Sequence, residues 1–455
     1  MGNSTTRLFT ETGKLKVYTF NVSQGDHILM HLPDGSFGII DCFFHTPMRQ
    51  EELPALSVLR YLHQQFPHKP PRIAFIYISH PDHDHLKGIT DLLDWVEAND
   101  IQVEYFWWFG GTELPEFFGK LKRHARAFAT QEKKNPKFRS QVQGFERKLR
   151  RILQFKERRP RIFERMIGVS PLPLGKGKGV YAYALAPLHH HLESFQEVMA
   201  GQYIYEFFVQ KGELREQLDK NLVSSIVKFV FGPYHLVFSG DTHRMVWLDA
   251  LAHLQANDFG VLQAILTQKA QFVKAGHHGS HFSSDTKIWE EVLDLNDSEA
   301  ASHVVFSAGI HKRWKHPHTQ TVREIEGVCT RFDQSIPQDV PLCTMTTTNG
   351  CTACEPMFDG YFSLDEYLNT SKAKPSKKQK GKIDRILGQH LRVKSAQEQS
   401  SAPLGVLMFE FDSEAEGIKL FKGTSSRWKN LRFARKHVPC ALHNTRHCPE
   451  VGQRT

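Results

Sequence analysis

The densest chemistry in the chain lies in Ser79-His80-Pro81-Asp82-His83-Asp84-His85. Three imidazoles and two carboxylates fall within six positions, directly after the apolar run 72–79. Groups this polar are costly to pack together unless something positive sits among them. A divalent cation supplies that charge, and nitrogen and oxygen donors without thiolate suit zinc, manganese or iron. Three later segments have the same form. Phe238-Ser239-Gly240-Asp241 is an apolar run ending in a carboxylate, Gly276-His277-His278-Gly279-Ser280 follows the run 271–275, and Lys315-His316-Pro317-His318 precedes a helical pattern. Taken singly, an Asp after a strand is more often a turn former, and a His pair is more often a surface feature. Four strand-end signals together point to one metal site, because ligands bind where loops leave the carboxyl ends of strands.

The surrounding pattern predicts the elements that hold these residues. Residues 14–41 read as three short strands, broken by Gly25-Asp26 and Pro33-Asp34-Gly35. Helices are expected over 51–66, about 86–98, 245–256, 285–294 and 319–328. Strands are expected over 72–79, 102–109, 179–186, 223–231, 234–239, 271–276, 303–308 and 403–422. Strands alternating with helices argue for α/β layers. No internal repeat is visible.

The charge is unevenly placed. The chain has 455 residues and a net charge of +9, but residues 120–165 alone carry +13 and residues 372–394 carry +8, which leaves the remainder at −12. In the first basic stretch Phe145, Leu149 and Ile152 recur at helical spacing, so it reads as an amphipathic helical insertion. Residues 371–400 read as a basic linker and 401–455 as a C-terminal extension. No apolar run of about 18 residues is present, which argues against a spanning helix. The polar start shows no secretory signal, and the seven cysteines read as reduced, so a cytoplasmic location is expected. Within 331–370 and just before it, Cys329, Cys343, Cys351 and Cys354 could form a structural zinc site; buried or free thiols are the plainer reading for these and for Cys440 and Cys448.

In order along 14–328, the motifs resemble the metallo-β-lactamase fold and, more closely, the soluble hydrolase domain of ComEC/Rec2-type DNA-uptake proteins. Phe20 to Asp26 resembles that group's DVGQGD turn, and Ile39-Ile40-Asp41-Cys42 its LIDxG. His80 to His85 fits HxDxDH, and Asn221 with Ser225-Ile226-Val227 resembles NNxSLVL. Ser239-Gly240-Asp241 resembles TGD, His277 to Ser280 is HHGS, and His316-Pro317-His318 resembles GHPH. Asp82 stands where the wider superfamily has a histidine, Asn21, Ser23 and Cys42 replace Asp and two glycines, and no clear partner exists for the intervening His ligand, although His189, His190 and His191 lie in the interval.

The resemblance implies an αββα four-layer sandwich over 1–330, with 120–165 inserted. It also implies two divalent ions, zinc or alternatively manganese. His80 and Asp82 would belong to the first ion and Asp84, His85 and one of His277 or His278 to the second, with Asp241 bridging. Two such ions lower the pKa of a shared water and neutralise charge on a phosphoryl or carbonyl oxygen. Asp84 would orient that water, and His316 or His318 would protonate the leaving oxygen or hold a phosphate. The basic segments favour a polyanion over a small neutral substrate. Lys122, Arg123, Arg147, Arg150, Arg151 and Asn221 are the candidate substrate contacts. Phe117, Phe118, Phe128, Phe138, Phe145 and Phe155 could stack on bases or, more simply, pack a core. The expected activity is that of a phosphodiesterase or nuclease. The alternatives are a small-molecule phosphoester or lactone hydrolase, and a non-catalytic metal-stabilised protein, with protein partners, of a bacterial defence or DNA-uptake system.

Overall fold

Apolar runs of strand length become strands throughout the computed structural model, which describes residues 9–20, 22, 25–44, 53–80, 82–108, 136–165, 170–176, 179–193, 220–294, 303–307, 316–318, 320–321, 324–325, 328, 343–346, 350–351, 406–413, 418–424 and 432–435. Strands β1 (Leu15–Phe20), β2 (Ile28–His31), β3 (Phe37–Ile40), β4 (Ile73–Ile78), β5 (Val103–Trp108) and β6 (Phe163–Arg165) lie side by side in chain order. A second sheet holds β7 (Leu172–Leu174), β8 (Val180–Ala186), β9 (Ile226–Phe231), β10 (Tyr234–Phe238), β11 (Phe272–Lys274), β12 (His303–Phe306), β13 (Cys343–Thr346) and β14 (Gly350–Cys351). The chain then returns to the first sheet with β15 (Val406–Phe411), β16 (Ile418–Thr424) and β17 (Arg432–Arg435). Both sheets are mixed. β3 to β6 run parallel in the first and β10 to β13 in the second. The fold is therefore α/β with two mixed sheets.

The helices are α1 (Pro54–Gln65), α2 (His83–Leu86), α3 (Ile89–Ala98), α4 (Pro136–Arg158), α5 (Arg244–Ala256), α6 (Gln263–Thr267) and α7 (Thr286–Val292). Strand alternation divides the apolar side chains among three clusters. In β4, Phe75 and Tyr77 join Val17, Phe229, Leu236 and Phe409, which come from both sheets. Ile76 and Ile78 on the opposite side meet Leu59 of α1, Leu92 of α3 and Leu149 of α4. Val237 and Val273 of the second sheet meet Val246 and Trp247 of α5 and Trp289 of α7. Burial on both faces explains why the β4 run is continuously apolar.

Three features depart from the sequence expectation. The helix expected over about 86–98 is two elements, α2 and α3, separated at Lys87-Gly88. Gly88 donates its N–H to Cys42 O at 2.6 Å, and a Cβ there would meet Leu53 and that carbonyl at 3.0 and 3.1 Å. Secondly, the described part of the basic stretch is integral to the first sheet's covering, because Phe145, Leu149, Ile152 and Phe155 of α4 are core residues. Phe145 and Phe155 are thus packing residues. Thirdly, residues from the expected extension complete the first sheet. β15 pairs with β1 along its full length, Leu15 opposite Phe411 through Phe20 opposite Val406.

Lys122 and Arg123, the linker 371–400, and Cys329, Cys354, Cys440 and Cys448 lie outside the described residues, as do Phe117, Phe118 and Phe128. Cys343 and Cys351 sit in β13 and β14. Among the described residues no helix is long and apolar enough to cross a membrane.

Candidate metal centre

The parallel strands of both sheets end at one place. Asp41 follows β3, Ser79 and His80 follow β4, Asp241 follows β10, His277 and His278 follow β11, and Ser307 follows β12. The two sheets are joined here through Ser79, whose carbonyl accepts from Ser225 N at 3.1 Å and Ser225 Oγ at 3.0 Å. After His80 the chain turns into α2, capped by Asp82, whose carboxylate accepts from His83 N at 2.6 Å. That single turn points Asp84 and His85 back at the strand ends.

Asp84, His85, Asp241 and His278 each offer one ligand atom within 4.8 Å of all the others. His85 Nε2 lies 3.3 Å from Asp241 Oδ1, His278 Nε2 3.3 Å from Asp84 Oδ2, and His278 Nε2 3.6 Å from Asp241 Oδ2. Zinc bonds of about 2.0–2.2 Å to nitrogen and oxygen place tetrahedral neighbours about 3.3–3.6 Å apart. The separations match a shell around a cation. His85 Nε2, His80 Nε2 and Asp241 Oδ1 are also buried without a hydrogen-bond partner. Unsatisfied buried polar atoms are rare, and these converge on one point. The group fits a divalent metal.

His80 and His277 also approach this carboxylate, their Nε2 atoms 3.9 and 3.7 Å from Asp241 Oδ2, the oxygen that His278 approaches as well. His277 is the more exposed of the HHGS pair, and Asn221 Nδ2 lies 3.2 Å from its Nδ1. Asp82 caps α2 and stands outside the four-residue group. Both His277 (φ 46°) and His278 (φ 55°) adopt left-handed backbone, as does Asp41 (φ 54°). Each such non-glycine residue costs of order 1–3 kcal/mol and persists where the surroundings demand that geometry.

Sequence reasoning named Asp26 and Asp41 within motifs but gave them no place in the site, and it missed Lys274 and Ser307 behind the ligands. Asp41 accepts from Ser79 N at 2.8 Å and Ser79 Oγ at 2.7 Å, and its Oδ2 lies 2.8 Å from His85 Nδ1. Asp26 Oδ1 lies 3.5 Å from His278 Nδ1, and Asp26 also accepts from Lys274 Nζ and Ser307 Oγ. Lys274, fully buried, donates as well to Gly240 O at 3.0 Å, beside Asp241. One signal for Asp41 was present, since it too follows an apolar strand. A lysine within the apolar strand β11 was another, because lysine is almost never fully buried unless paired.

The charges are strongly coupled. Burial opposes the ionised form of Asp241, but His278, His85 and His277 hold its carboxyl well below the usual range. Burial likewise opposes charge on His278, and Asp241, Asp26 and Asp84 outweigh it, raising the ring to about 10. His80 goes the other way, to about 3, through burial and the neighbouring His85. His316 is pressed down by burial and by His277 and His278, whose rings lie 5.3 and 6.1 Å from its own. His318 instead packs against His281, their ring centres 4.4 Å apart and the planes tilted by 43°.

Two further groups raised by the sequence are engaged with carboxylates. His190 and His191 pair with Asp249 at 3.5 and 3.0 Å. Leu188 N donates to His191 Nδ1 at 3.1 Å, which leaves the proton on Nε2, so the ring donates to Asp249 and its Nε2 has no lone pair for a metal. In α4, Arg151 is committed to Asp94 at 2.5 Å and Glu97 at 2.7 Å, while Arg147 and Arg150 are exposed. No family model matches the chain, and no curated protein matches it.

Proposed function

We propose that the chain is a metal-dependent hydrolase of the metallo-β-lactamase type, its two sheets and outer helices forming the αββα sandwich of that fold. We read its substrate as a phosphodiester, with nucleic acid as the intended polymer. The observation that carries this reading is the convergence of Asp84, His85, Asp241 and His278 at the carboxyl ends of strands from both sheets. Two divalent ions, zinc by preference, would share Asp241, with His80 and His277 facing the second. Bound there, such ions acidify water and neutralise charge developing on phosphoryl oxygen.

The protein's own groups supply the rest. Asp84, partly open to solvent, holds His278 through one oxygen and is the group we assign to orient the attacking water. His316 lies against His277 and His278 and is assigned to the leaving oxygen. Asp41 and Asp26 keep the ligand rings turned. Buried Cys42 is a free thiol, in keeping with a cytoplasmic setting.

One observation favours a second reading, a small phosphoester. Arg151, Arg158 and Arg159 are matched by Asp94, Glu97 and Asp100, so part of the basic stretch neutralises α3 and its end. Metal-resolved cleavage of duplex DNA, single-stranded DNA, RNA, a chromogenic phosphodiester and a lactone separates the two readings. Asp241→Asn should abolish turnover on every substrate the parent cleaves, and retained turnover would sink the metal mechanism.

A further inference from the structure

The basic helix α4 does one thing that its arginines do not. It carries Lys148 to the loop that holds the metal ligands. Phe145, Leu149 and Ile152 lock the helix's rotation by burying one stripe, and Lys148, one position before Leu149, leaves the seam half-buried. Its Nζ lies 3.2 Å from Nδ1 of His83, the residue between Asp82 and Asp84. An ammonium has only donors, so at this distance the ring nitrogen accepts.

The neighbours of this ammonium are unusual. Arg151 and Arg158 on the same helix, and Arg159 just after it, each reach a carboxylate directly. Among the described residues, the hydrogen bond of Lys148 goes to an uncharged ring. Lys87 and Arg147 add positive charge nearby, and Lys87 is held by Phe44 O at 2.8 Å with its Nζ 4.3 Å from the Phe44 ring centre. Asp82 and Asp84 attract Lys148 from a distance. Asp84, however, is turned to His278 and the metal group, and Asp82 to the backbone of His83. A partly desolvated ammonium beside like charges is stabilised by an anion that it can touch.

We propose that Lys148, oriented by His83, binds an anionic oxygen of the substrate at the edge of the metal centre. Lys148 is thus the group that selects a charged phosphoester over a neutral ester. This rests on the hydrolase reading, and it does not require a polymer, since one phosphate satisfies it.

The test uses the full-length, zinc-loaded protein with Lys148→Met and Lys148→Arg, checked for folding by circular dichroism. The substrates are bis(4-nitrophenyl) phosphate and the neutral ester 4-nitrophenyl acetate. A hydrogen bond to a charged group is worth roughly tenfold or more in affinity. In Lys148→Met the KM for the phosphodiester, relative to that for the acetate, should rise roughly tenfold, and Lys148→Arg should recover part of it. Loss of packing alone would shift both substrates together. An unchanged KM ratio in a folded Lys148→Met protein overturns the proposal. In parallel, inorganic phosphate is titrated by calorimetry. If the parent turns over neither substrate, the hydrolase reading fails and the titration alone decides Lys148. Phosphate binding by the parent that weakens in Lys148→Met supports the assignment; equal binding, or none by the parent, overturns it.

Discussion

Asp41 Oδ2 lies 2.8 Å from Nδ1 of His85, and this contact leaves the other ring nitrogen bare towards Asp241. Asp41 is the residue that follows β3, and its strained backbone (φ 54°) is held by Ser79, which follows β4. Two adjacent parallel strands thus fix one imidazole. Orienting carboxylates of this kind typically change metal affinity by about 10–100-fold when removed.

Asp41→Asn should therefore lower zinc affinity by about that 10–100-fold while leaving a folded protein. Its amide can still bond Ser79, but it no longer holds a proton on His85 Nδ1 as firmly. Competition with a fluorescent chelator measures this. Parent affinity in the variant would show that the 2.8 Å contact does not set the tautomer.

Metal should stabilise the fold, because its ligands come from both sheets. At a free zinc concentration one hundred times the dissociation constant, the gain is about 2.7 kcal/mol. Thermal unfolding with zinc, and then with excess chelator, should show a reversible fall in Tm. His278→Ala should lose more of that zinc response than His277→Ala, since His278 is the member of the four-residue group. A larger loss in His277→Ala would place the tighter ion between His80 and His277.

Much of this arrangement was legible beforehand, and the limits are physical. The strand ends carrying His80, Asp241 and His278 showed as apolar runs closed by donors, because parallel strands buried on both faces leave that pattern. Asp26 and Lys274 were not visible as a pair, because their contact spans 248 positions and no local period records it. The helix α4 was legible from Phe145, Leu149 and Ile152 at helical spacing, but its local pattern does not say what the stripe packs on, which is the core beneath the first sheet, with Phe155 added to it. His191 lies in the interval of the intervening ligand without a clear match to it, and the Leu188 N–H that donates to its Nδ1 is a contact no sequence pattern shows.

Removing residues 401–455 should unfold the protein and not release a working 1–330 domain. β15 covers β1, Lys16 opposite Glu410 forms a buried pair at 3.8 Å, and Met408, Phe409 and Phe411 are fully buried. Each such apolar side chain contributes about 1.5–3 kcal/mol, against a total stability of about 5–15 kcal/mol for a domain. Circular dichroism and urea unfolding of the truncated chain check this. A cooperative transition at the parental midpoint would mean that β15 adds nothing to the core.

Acid should destabilise the protein through histidines remote from the metal group. His31 in β2 is buried against Phe37, their ring centres 4.8 Å apart, and His235 is buried in β10. Burial, with Lys16 near one and Lys228 near the other, presses each to about 3, from 6.5. Between those values the unfolded chain binds protons that the folded chain refuses, so stability falls as pH is lowered from about 6.5 towards 3. Lys228 acts on the alkaline side. Burial lowers its ammonium to about 7, from 10.5, so its share of stability rises as pH increases through that window. The urea midpoint of the zinc-free protein should drop between pH 7 and pH 5. His31→Leu, which keeps an apolar group against Phe37 and removes the titration, should narrow that drop. An undiminished drop in His31→Leu would show that His31 is not held neutral in the fold.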